Sequence, residues 1–291
     1  MKETLFILLQ HLLPQHLLSR TLGALAQCRT PWLKNLLIRR FCQHYRVDLS
    51  EALESSPEGY EHFNAFFTRA LKPGVRPLDT TPGAILSPAD GAISQLGRIR
   101  HGRIFQAKRH SYGLTNLLGG DCQRAEPFIN GHFATIYLSP RDYHRVHMPL
   151  SGTLRESVYI PGDLYSVNRT TTEGVDSLFA RNERLVTIFD TEAGPMGMVL
   201  VGAMIVAGIE TVWQGQVSPL PRQPLILDRF DRQPPPQIEK GEEMGRFKLG
   251  STVILLFPED SMHWLDTLEA GSPVRMGQRL AMVSDHQHTA D

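Results

Sequence analysis

The sequence has 291 residues, with 30 basic and 30 acidic side chains, so its formal net charge is zero. The length suits one or two domains and is ample for a sizeable hydrophobic core. A neutral chain is not typical of a nucleic-acid-binding protein. The three cysteines (Cys28, Cys42 and Cys122) are widely spaced and form no CxxC pair. This argues against a disulfide framework and favours reduced thiols in a cytoplasm-facing protein.

The first 50 residues differ in charge from the rest of the chain. They carry seven basic and two acidic side chains, so the remainder carries the balancing negative charge. Leucines recur there at helical spacing, and Pro31 stands at the start of a segment that contains Trp32 and several arginines. This composition suits helices that lie in a bilayer interface and bind an anionic surface. The alternative is helices that pack on the protein's own core or on a second copy of the chain.

No segment is long and apolar enough to predict a transmembrane helix. The longest apolar stretch, residues 197–209, has only 13 residues and contains three glycines, whereas a span needs about 20. It therefore predicts a buried strand or strand pair. We interpret residues 1–77 as a helical, membrane-associating region.

From residue 78 onward the chain changes to short apolar runs, glycine-containing turns and β-branched residues. The candidate strands are residues 91–96, 134–138, 154–159, 185–189, 198–205 and 253–257. The predicted fold class is α+β: N-terminal amphipathic helices followed by a mainly antiparallel β sandwich or barrel-like domain over residues 78–291.

Three short segments could carry chemistry. Residues 247–252 (FKLGST) place Gly250 and Ser251 before a strand, a pattern that alone indicates only a tight turn. Residues 87–91 (SPADG) read as a turn, or as a semi-buried carboxylate, Asp90, that orients a histidine.

The third segment, residues 138–149, contains His144 and His147. Two histidines three apart can share a face, and imidazole suits proton transfer because it titrates near neutral pH. No HExxH motif or cysteine pair completes a ligand set, so we predict no metal. We also predict no external cofactor, since no glycine-rich phosphate loop is present.

Taken together, these segments resemble the bacterial phosphatidylserine decarboxylase proenzymes, and the resemblance covers nearly the whole chain. The matching blocks are residues 66–72 with 76–77, 87–91, 143–149, 164–168, 182–184 and 249–252. Residues 108–114 depart from the family's pattern.

The resemblance implies a precursor that cuts itself between Gly250 and Ser251, leaving a large chain (1–250) that holds a small one (251–291). Ser251 would attack the carbonyl of Gly250, with His147 as the base and Asp90 orienting the imidazole and stabilising its charged form. The cut would convert Ser251 into a covalent pyruvoyl group. That carbonyl would form a Schiff base with phosphatidylserine and act as the electron sink for decarboxylation to phosphatidylethanolamine and CO2. His144 is the candidate for proton transfer to the carbanion.

The resemblance also implies partners and a location. We expect phosphatidylserine and an anionic membrane surface as partners, a homodimer of processed protomers, and peripheral attachment to the cytoplasmic face of the cytoplasmic membrane. The phosphate of the head group calls for a nearby cation, for which Lys108 and Arg145 are unranked candidates.

Two other functions remain open at this stage. One is an intact serine hydrolase that uses Asp90, His147 and Ser251 as a permanent triad, although the chain has no GxSxG motif. The other is a non-enzymatic, membrane-bound β module. Both would leave the chain uncut.

Overall fold

The computed structural model describes residue 10 and residues 15–107, 110–203, 208–218, 226–229, 234–248 and 251–284. Of the sequence-predicted site residues, Gly250 and Lys108 lie outside these ranges, as do most of residues 1–14.

Within the described ranges, three helices precede the first strand, in agreement with the predicted helical start. They are α1 (Gln15–Ala26), α2 (Pro31–Tyr45) and α3 (Phe63–Phe67). Pro31 occupies the first turn of α2, where its missing N–H has no partner to lose. The helix ends at Tyr45. Its C-cap residue, Arg46, has a left-handed conformation (φ 55°), and the N–H of Arg46 donates to the carbonyl of Cys42. Within the described ranges, no helix combines the length and the apolar character that crossing a bilayer requires.

An aromatic cluster joins these helices to one another. Ile38 of α2 packs with Tyr60 and with the phenylalanines of α3 in a small core of its own. Other large apolar side chains of α1 and α2 face outward: Trp32 is 69% exposed and Leu17 is 61% exposed. The helical region therefore buries one apolar face and exposes another.

Among the described residues of the β region, four further helices of four to six residues interrupt the strands: α4 (Leu114–Leu117), α5 (Cys122–Ala125), α6 (Arg169–Gly174) and α7 (Leu178–Arg181). Short 3-10 turns cover Pro57–Gly59 and Glu126–Phe128.

The described strands pair in the antiparallel sense throughout, as predicted. The strands are β1 (Ala84–Leu86), β2 (Gly91–Arg98), β3 (Arg103–Ala107), β4 (His110–Gly113), β5 (His132–Leu138), β6 (Arg145–His147), β7 (Gly152–Ile160), β8 (Arg184–Thr191), β9 (Gly194–Gly202), β10 (Gly208–Thr211), β11 (Gly215–Gln216), β12 (Ile226–Arg229), β13 (Gln237–Ile238), β14 (Glu243–Lys248), β15 (Ser251–Phe257), β16 (Met262–Trp264), β17 (Pro273–Val274) and β18 (Arg279–Val283). The large sheet has the order β12-β7-β8-β9-β15-β5-β2-β17, with β13 also pairing with β7. Smaller sheets follow the orders β11-β10-β14-β6 and β1-β18-β16, and β3 pairs with β4.

The large sheet is covered on both faces, and β15 lies near its centre. Every residue of β15 is buried. Because side chains alternate along a strand, Val253 and Leu255 join the core shared with the smaller sheets, whereas Ile254 and Leu256 join the core under the short helices. The predicted strand at residues 253–257 is confirmed, and it begins two residues earlier, at Ser251. The predicted strand at 198–205 ends at Gly202, and residues 204–205 lie outside the described ranges.

Candidate active site

Ser251 begins β15 and lies between two neighbouring strands. Its Cα partners are Leu138 of β5 and Gly202 of β9. It is fully buried, and its Oγ has no hydrogen-bond partner among the described residues. Alternation along β15 directs this side chain toward the same core as Val253, on the side of the four-stranded sheet.

A buried hydroxyl without a partner costs about 1–3 kcal/mol, so it calls for a functional explanation. The position also fits a pyruvoyl group, because its formation would remove this hydroxyl: Cβ would become a methyl group, which needs no hydrogen-bond partner in the apolar core, and the ketone would form at Cα. The other predicted cleavage residue, Gly250, lies outside the described residues.

His144 lies in a closed, apolar setting near this strand end. Its ring stacks on Phe67 with centroids 4.1 Å apart, and its Nε2 is 3.0 Å from the carbonyl oxygen of Ser139. Since a carbonyl only accepts, Nε2 carries the proton and Nδ1 holds the lone pair. That Nδ1 is buried and unpartnered in the part of the chain that the structure describes. Burial lowers the pKa of His144 to about 3, and the positive charge of Arg69 adds to the effect.

Two backbone links tie His144 to the surroundings of Ser251. Ser139, which His144 contacts, directly follows Leu138, the β5 partner of Ser251. The carbonyl of His144 also accepts from the N–H of Phe247, four residues before Ser251. His144 thus contacts both the end of the strand that pairs with Ser251 and the segment that precedes Ser251 in the chain.

His147 has both ring nitrogens occupied. Nδ1 is 2.8 Å from the carbonyl oxygen of Gly241, so Nδ1 carries the proton, and Nε2 accepts from the hydroxyl of Tyr143 at 3.0 Å. Burial lowers the pKa of His147, and it raises the pKa of Tyr143 to about 12. Tyr143 therefore remains a donor at neutral pH.

Asp90 is held by an arginine rather than by a histidine. Nε of Arg76 is 2.9 Å from Oδ1, its second terminal nitrogen is 2.5 Å from Oδ2, and the N–H of Met276 donates to Oδ1 at 2.9 Å. Arg76 also reaches Glu51 at 2.8 Å. The carboxylate of Asp90 still favours the charged form of His147 through space, against the larger effect of burial.

The predicted hydrogen-bonded chain from Asp90 through His147 to Ser251 is therefore not assembled among the described residues. Arg76 occupies the carboxylate, while Gly241 and Tyr143 occupy the imidazole. Val146 joins the core that Ser251 faces, so alternation along β6 turns the side chain of His147 to the opposite face. This geometry argues against a permanent serine hydrolase triad. The individual roles assigned to Asp90, His147 and His144 remain predictions.

Sequence reasoning missed a buried carboxyl on the other side of Ser251. Glu183 accepts from the hydroxyl of Ser218, and its backbone carbonyl accepts from the N–H of Gly202 at 2.8 Å. Burial raises the pKa of Glu183 to about 7, although a hydrogen bond from Tyr159 opposes the shift. Its place in the 182–184 block was visible in the sequence, but its burial was not.

The phosphate candidates Lys108 and Arg145 are not supported by described contacts. Lys108 lies outside the described residues, and Arg145 donates to Glu243 at 2.8 Å and to the carbonyl of Thr68 at 2.9 Å.

Among the described residues, no group of three or more His, Cys, Asp or Glu side chains is arranged to hold a metal ion.

Comparisons with known proteins agree with the resemblance seen in the sequence. A family model described as phosphatidylserine decarboxylase matches residues 63–282, and one described as PSD matches residues 5–46. The chain is 64% identical over 284 residues to a phosphatidylserine decarboxylase proenzyme of Pseudomonas fluorescens Pf-5, covering 97% of this chain and 98% of that protein. It is 63% identical over 286 residues to the proenzyme of Azotobacter vinelandii, covering 98% of this chain and 100% of that protein. The predicted membership is confirmed: the chain belongs to the phosphatidylserine decarboxylase family.

Proposed function

We propose that this chain is the precursor of a phosphatidylserine decarboxylase, a carbon-carbon lyase that cuts itself between residues 250 and 251 and converts Ser251 into a pyruvoyl group. The observation that carries the proposal is the Ser251 hydroxyl. It is buried, has no described partner, and stands at the start of a central strand inside the matched family region. A hydroxyl that the precursor consumes needs no permanent partner.

In the proposed cut, Oγ of Ser251 attacks the carbonyl carbon of Gly250, and the amide becomes an ester. A base then removes the α-proton of residue 251. The Cβ–O bond breaks, which leaves a carboxylate on residue 250 and a dehydroalanine at 251. Water replaces the nitrogen of that residue, and ammonia leaves with formation of the ketone. When formed, the pyruvoyl carbonyl supplies an electron sink for decarboxylation.

His147 is the proposed base for the cut, because Gly241 holds the proton on Nδ1 and leaves Nε2 as the basic atom. To act, Nε2 must leave the hydroxyl of Tyr143, and the imidazole must move to the side of its strand that Ser251 faces. Asp90 supports the imidazolium through space while Arg76 holds its carboxylate in place. His144 is the proposed group for proton transfer during decarboxylation. Because its Nδ1 carries a lone pair, this atom must first take up a proton, which the ammonium group of the substrate can supply, and then pass it to the substrate carbon that loses CO2.

The strand pairing explains how the small chain would stay in place after the cut. β15 pairs with β5 along seven residues and with β9 along six. Its side chains contribute to both cores of the large sheet. Separation of residues 251–291 would therefore expose apolar surface and unpaired backbone groups together.

The outward-facing apolar side chains of α1 and α2 support peripheral membrane attachment, which we propose occurs at the cytoplasmic face of the cytoplasmic membrane. Trp32 and Leu17 are largely exposed, and the exposed Arg39 and Arg40 stand on α2. Apolar and basic groups together suit an anionic lipid surface. We also propose a homodimer of processed protomers. The exposed apolar side chains of α1 and α2 are also a candidate contact between the two protomers.

The experiment compares wild-type protein with Ser251→Ala by denaturing gel, intact mass and release of CO2 from phosphatidylserine. Wild-type protein should give two fragments, the smaller lacking a free amino terminus, together with decarboxylation. Ser251→Ala should give one full-length species without activity. Ser261→Ala, another buried serine of the small chain, is the matched control and should be cut normally. An uncut and inactive wild-type protein would overturn the proposal.

A further inference from the structure

A second polar site lies between the helical region and the β domain, next to Asp90. It is a pocket of about 310 Å³, and Tyr143, whose hydroxyl contacts His147, forms part of its wall. Five arginines line it: Arg46, Arg69, Arg76, Arg141 and Arg275.

Existing contacts engage most of the carboxylates in this pocket. Arg76 binds Asp90 and Glu51, and Arg275 lies 3.5 Å from Glu51. Asp142 accepts from both the N–H and the hydroxyl of Ser139 at 2.7 Å. These acids are therefore not available to neutralise further cations without losing a present partner.

Among the described residues, Arg69 is a cation that these carboxylates leave without an ion pair, although its guanidinium lies 5.6 Å from the centroid of the Phe66 ring. Arg69 is 5% exposed, and one terminal nitrogen donates to the carbonyls of Arg141 and Asp142 at 3.0 and 3.3 Å. Its Nε and its other terminal nitrogen are buried and have no partner within the described ranges. A buried charged group with unmet donors is unfavourable unless something completes it. At the rim, Arg46 is exposed and forms no ion pair with any described residue.

We propose that this pocket binds a phosphate ester, with Arg69 as the buried anchor and Arg46 at the rim. A phosphate accepts hydrogen bonds from several directions, which suits two guanidinium groups on different elements better than a planar carboxylate does. The phosphate-ester class does not depend on the proposed function, whereas the substrate's own head group as its source rests on it.

The position of Arg69 makes the head group a reasonable source. Asp142, whose carbonyl it contacts, donates its N–H to the carbonyl of Ser139 at 2.9 Å. Ser139 follows the β5 partner of Ser251. The short loop of residues 139–143 thus connects the carbonyls that Arg69 contacts to the strand beside the candidate reactive residue.

Binding is measured by calorimetry on the full-length, purified protein with two probes that have no amine and cannot react with a carbonyl, inorganic phosphate and sn-glycerol 3-phosphate. Arg69→Gln should weaken binding at least tenfold, because a hydrogen bond to a charged group contributes about 1.5–3 kcal/mol. Arg46→Gln, an exposed change that the fold should tolerate, should weaken it severalfold. Arg155→Gln removes an exposed arginine paired with Asp190 elsewhere and should change nothing.

No phosphate binding by wild-type protein would overturn the inference, and so would unchanged affinity in both Arg69→Gln and Arg46→Gln. A loss of thermal stability in Arg69→Gln leaves Arg46→Gln to decide.

Kinetics with a short-chain, soluble phosphatidylserine then separate the two sources of phosphate. If the site holds the substrate's head group, Arg69→Gln raises KM about tenfold with a smaller effect on kcat, and glycerol 3-phosphate competes with substrate. If it holds a separate phosphate, KM stays constant while phosphate affinity falls. Both results support the site. Absence of decarboxylation by wild-type protein would overturn the proposed function and leave the calorimetry intact.

Discussion

His144 and His147 lie three residues apart, yet their surroundings differ in kind. His144 stacks on Phe67 and keeps a buried Nδ1 without a described partner. His147 is clamped between the carbonyl of Gly241 and the hydroxyl of Tyr143. Burial lowers the pKa of both, so both are neutral near pH 7, but their lone pairs sit on different atoms.

The difference shows that sequence spacing does not assign roles to paired histidines. Val146 enters the core on the Ser251 side, so His147 points to the other face of its strand. His144 precedes the strand and escapes this alternation. The histidine with the free lone pair is therefore linked to the strand end at Ser251. The one with the occupied lone pair is bonded to Tyr143, which lines the pocket beside Asp90.

Of the substitutions that test the different roles of the two histidines, His147→Ala is expected to have the largest effect. If His147 is the base for the cut, its loss should slow processing by about 10²–10⁴-fold, the usual contribution of a general base. Full-length precursor should accumulate in a pulse-chase gel. His132→Ala, which removes another buried histidine with a burial-lowered pKa, is the control. Normal processing of His147→Ala would mean that another group is the base for the cut, and His144 would be the first candidate to test.

His144→Ala should show the opposite pattern. The precursor should still be cut, and the processed enzyme should lose about 10²–10⁴-fold in kcat, since the proposed proton transfer occurs after the pyruvoyl group exists. Fragment masses and CO2 release on the same sample separate the two steps. A block of cleavage together with full activity of any residual processed enzyme would reverse the assignment of the two histidines.

Much of the fold could be predicted from the sequence, because local patterns carry it. The Pro31 helix start and the apolar run at 253–257 need only propensity and burial. The partners of Asp90 could not be predicted, because Met276 reaches it from a distant segment and no local pattern pairs it with Arg76. The unmet donors of Arg69 were equally hidden, since the 66–72 block shows a residue type but neither its burial nor its contacts.

Glu183 extends the comparison to a third buried group, an acid in place of a base. Its pKa of about 7 lies above the ordinary value of 4.5. The stability that its neutral form contributes is therefore full below pH 4.5 and is lost as pH rises to about 7. A glutamine does not ionise, so the Glu183→Gln variant does not lose stability in this way. Relative to wild type, its free energy of unfolding should therefore rise across that pH range by on the order of 3 kcal/mol.

Urea unfolding of both proteins at several pH values from 5 to 8 measures this difference. Glu156→Gln is the contrasting control, because Glu156 is also buried but is bound by Arg124. Its removal should destabilise the protein at neutral pH. A pH-independent difference between wild type and Glu183→Gln would mean that Glu183 is already charged in the folded protein.

The smallest expected effect comes from Tyr143→Phe, and it tests the clamp on His147 directly. The hydroxyl of Tyr143 donates to Nε2 and so stabilises the neutral imidazole. Its removal should raise the pKa of His147, which can be followed by NMR of the ring protons. A more basic and unoccupied Nε2 should then speed the cut severalfold. Slower cutting with the same rise in pKa would instead assign Tyr143 to the path of the proton between Ser251 and His147.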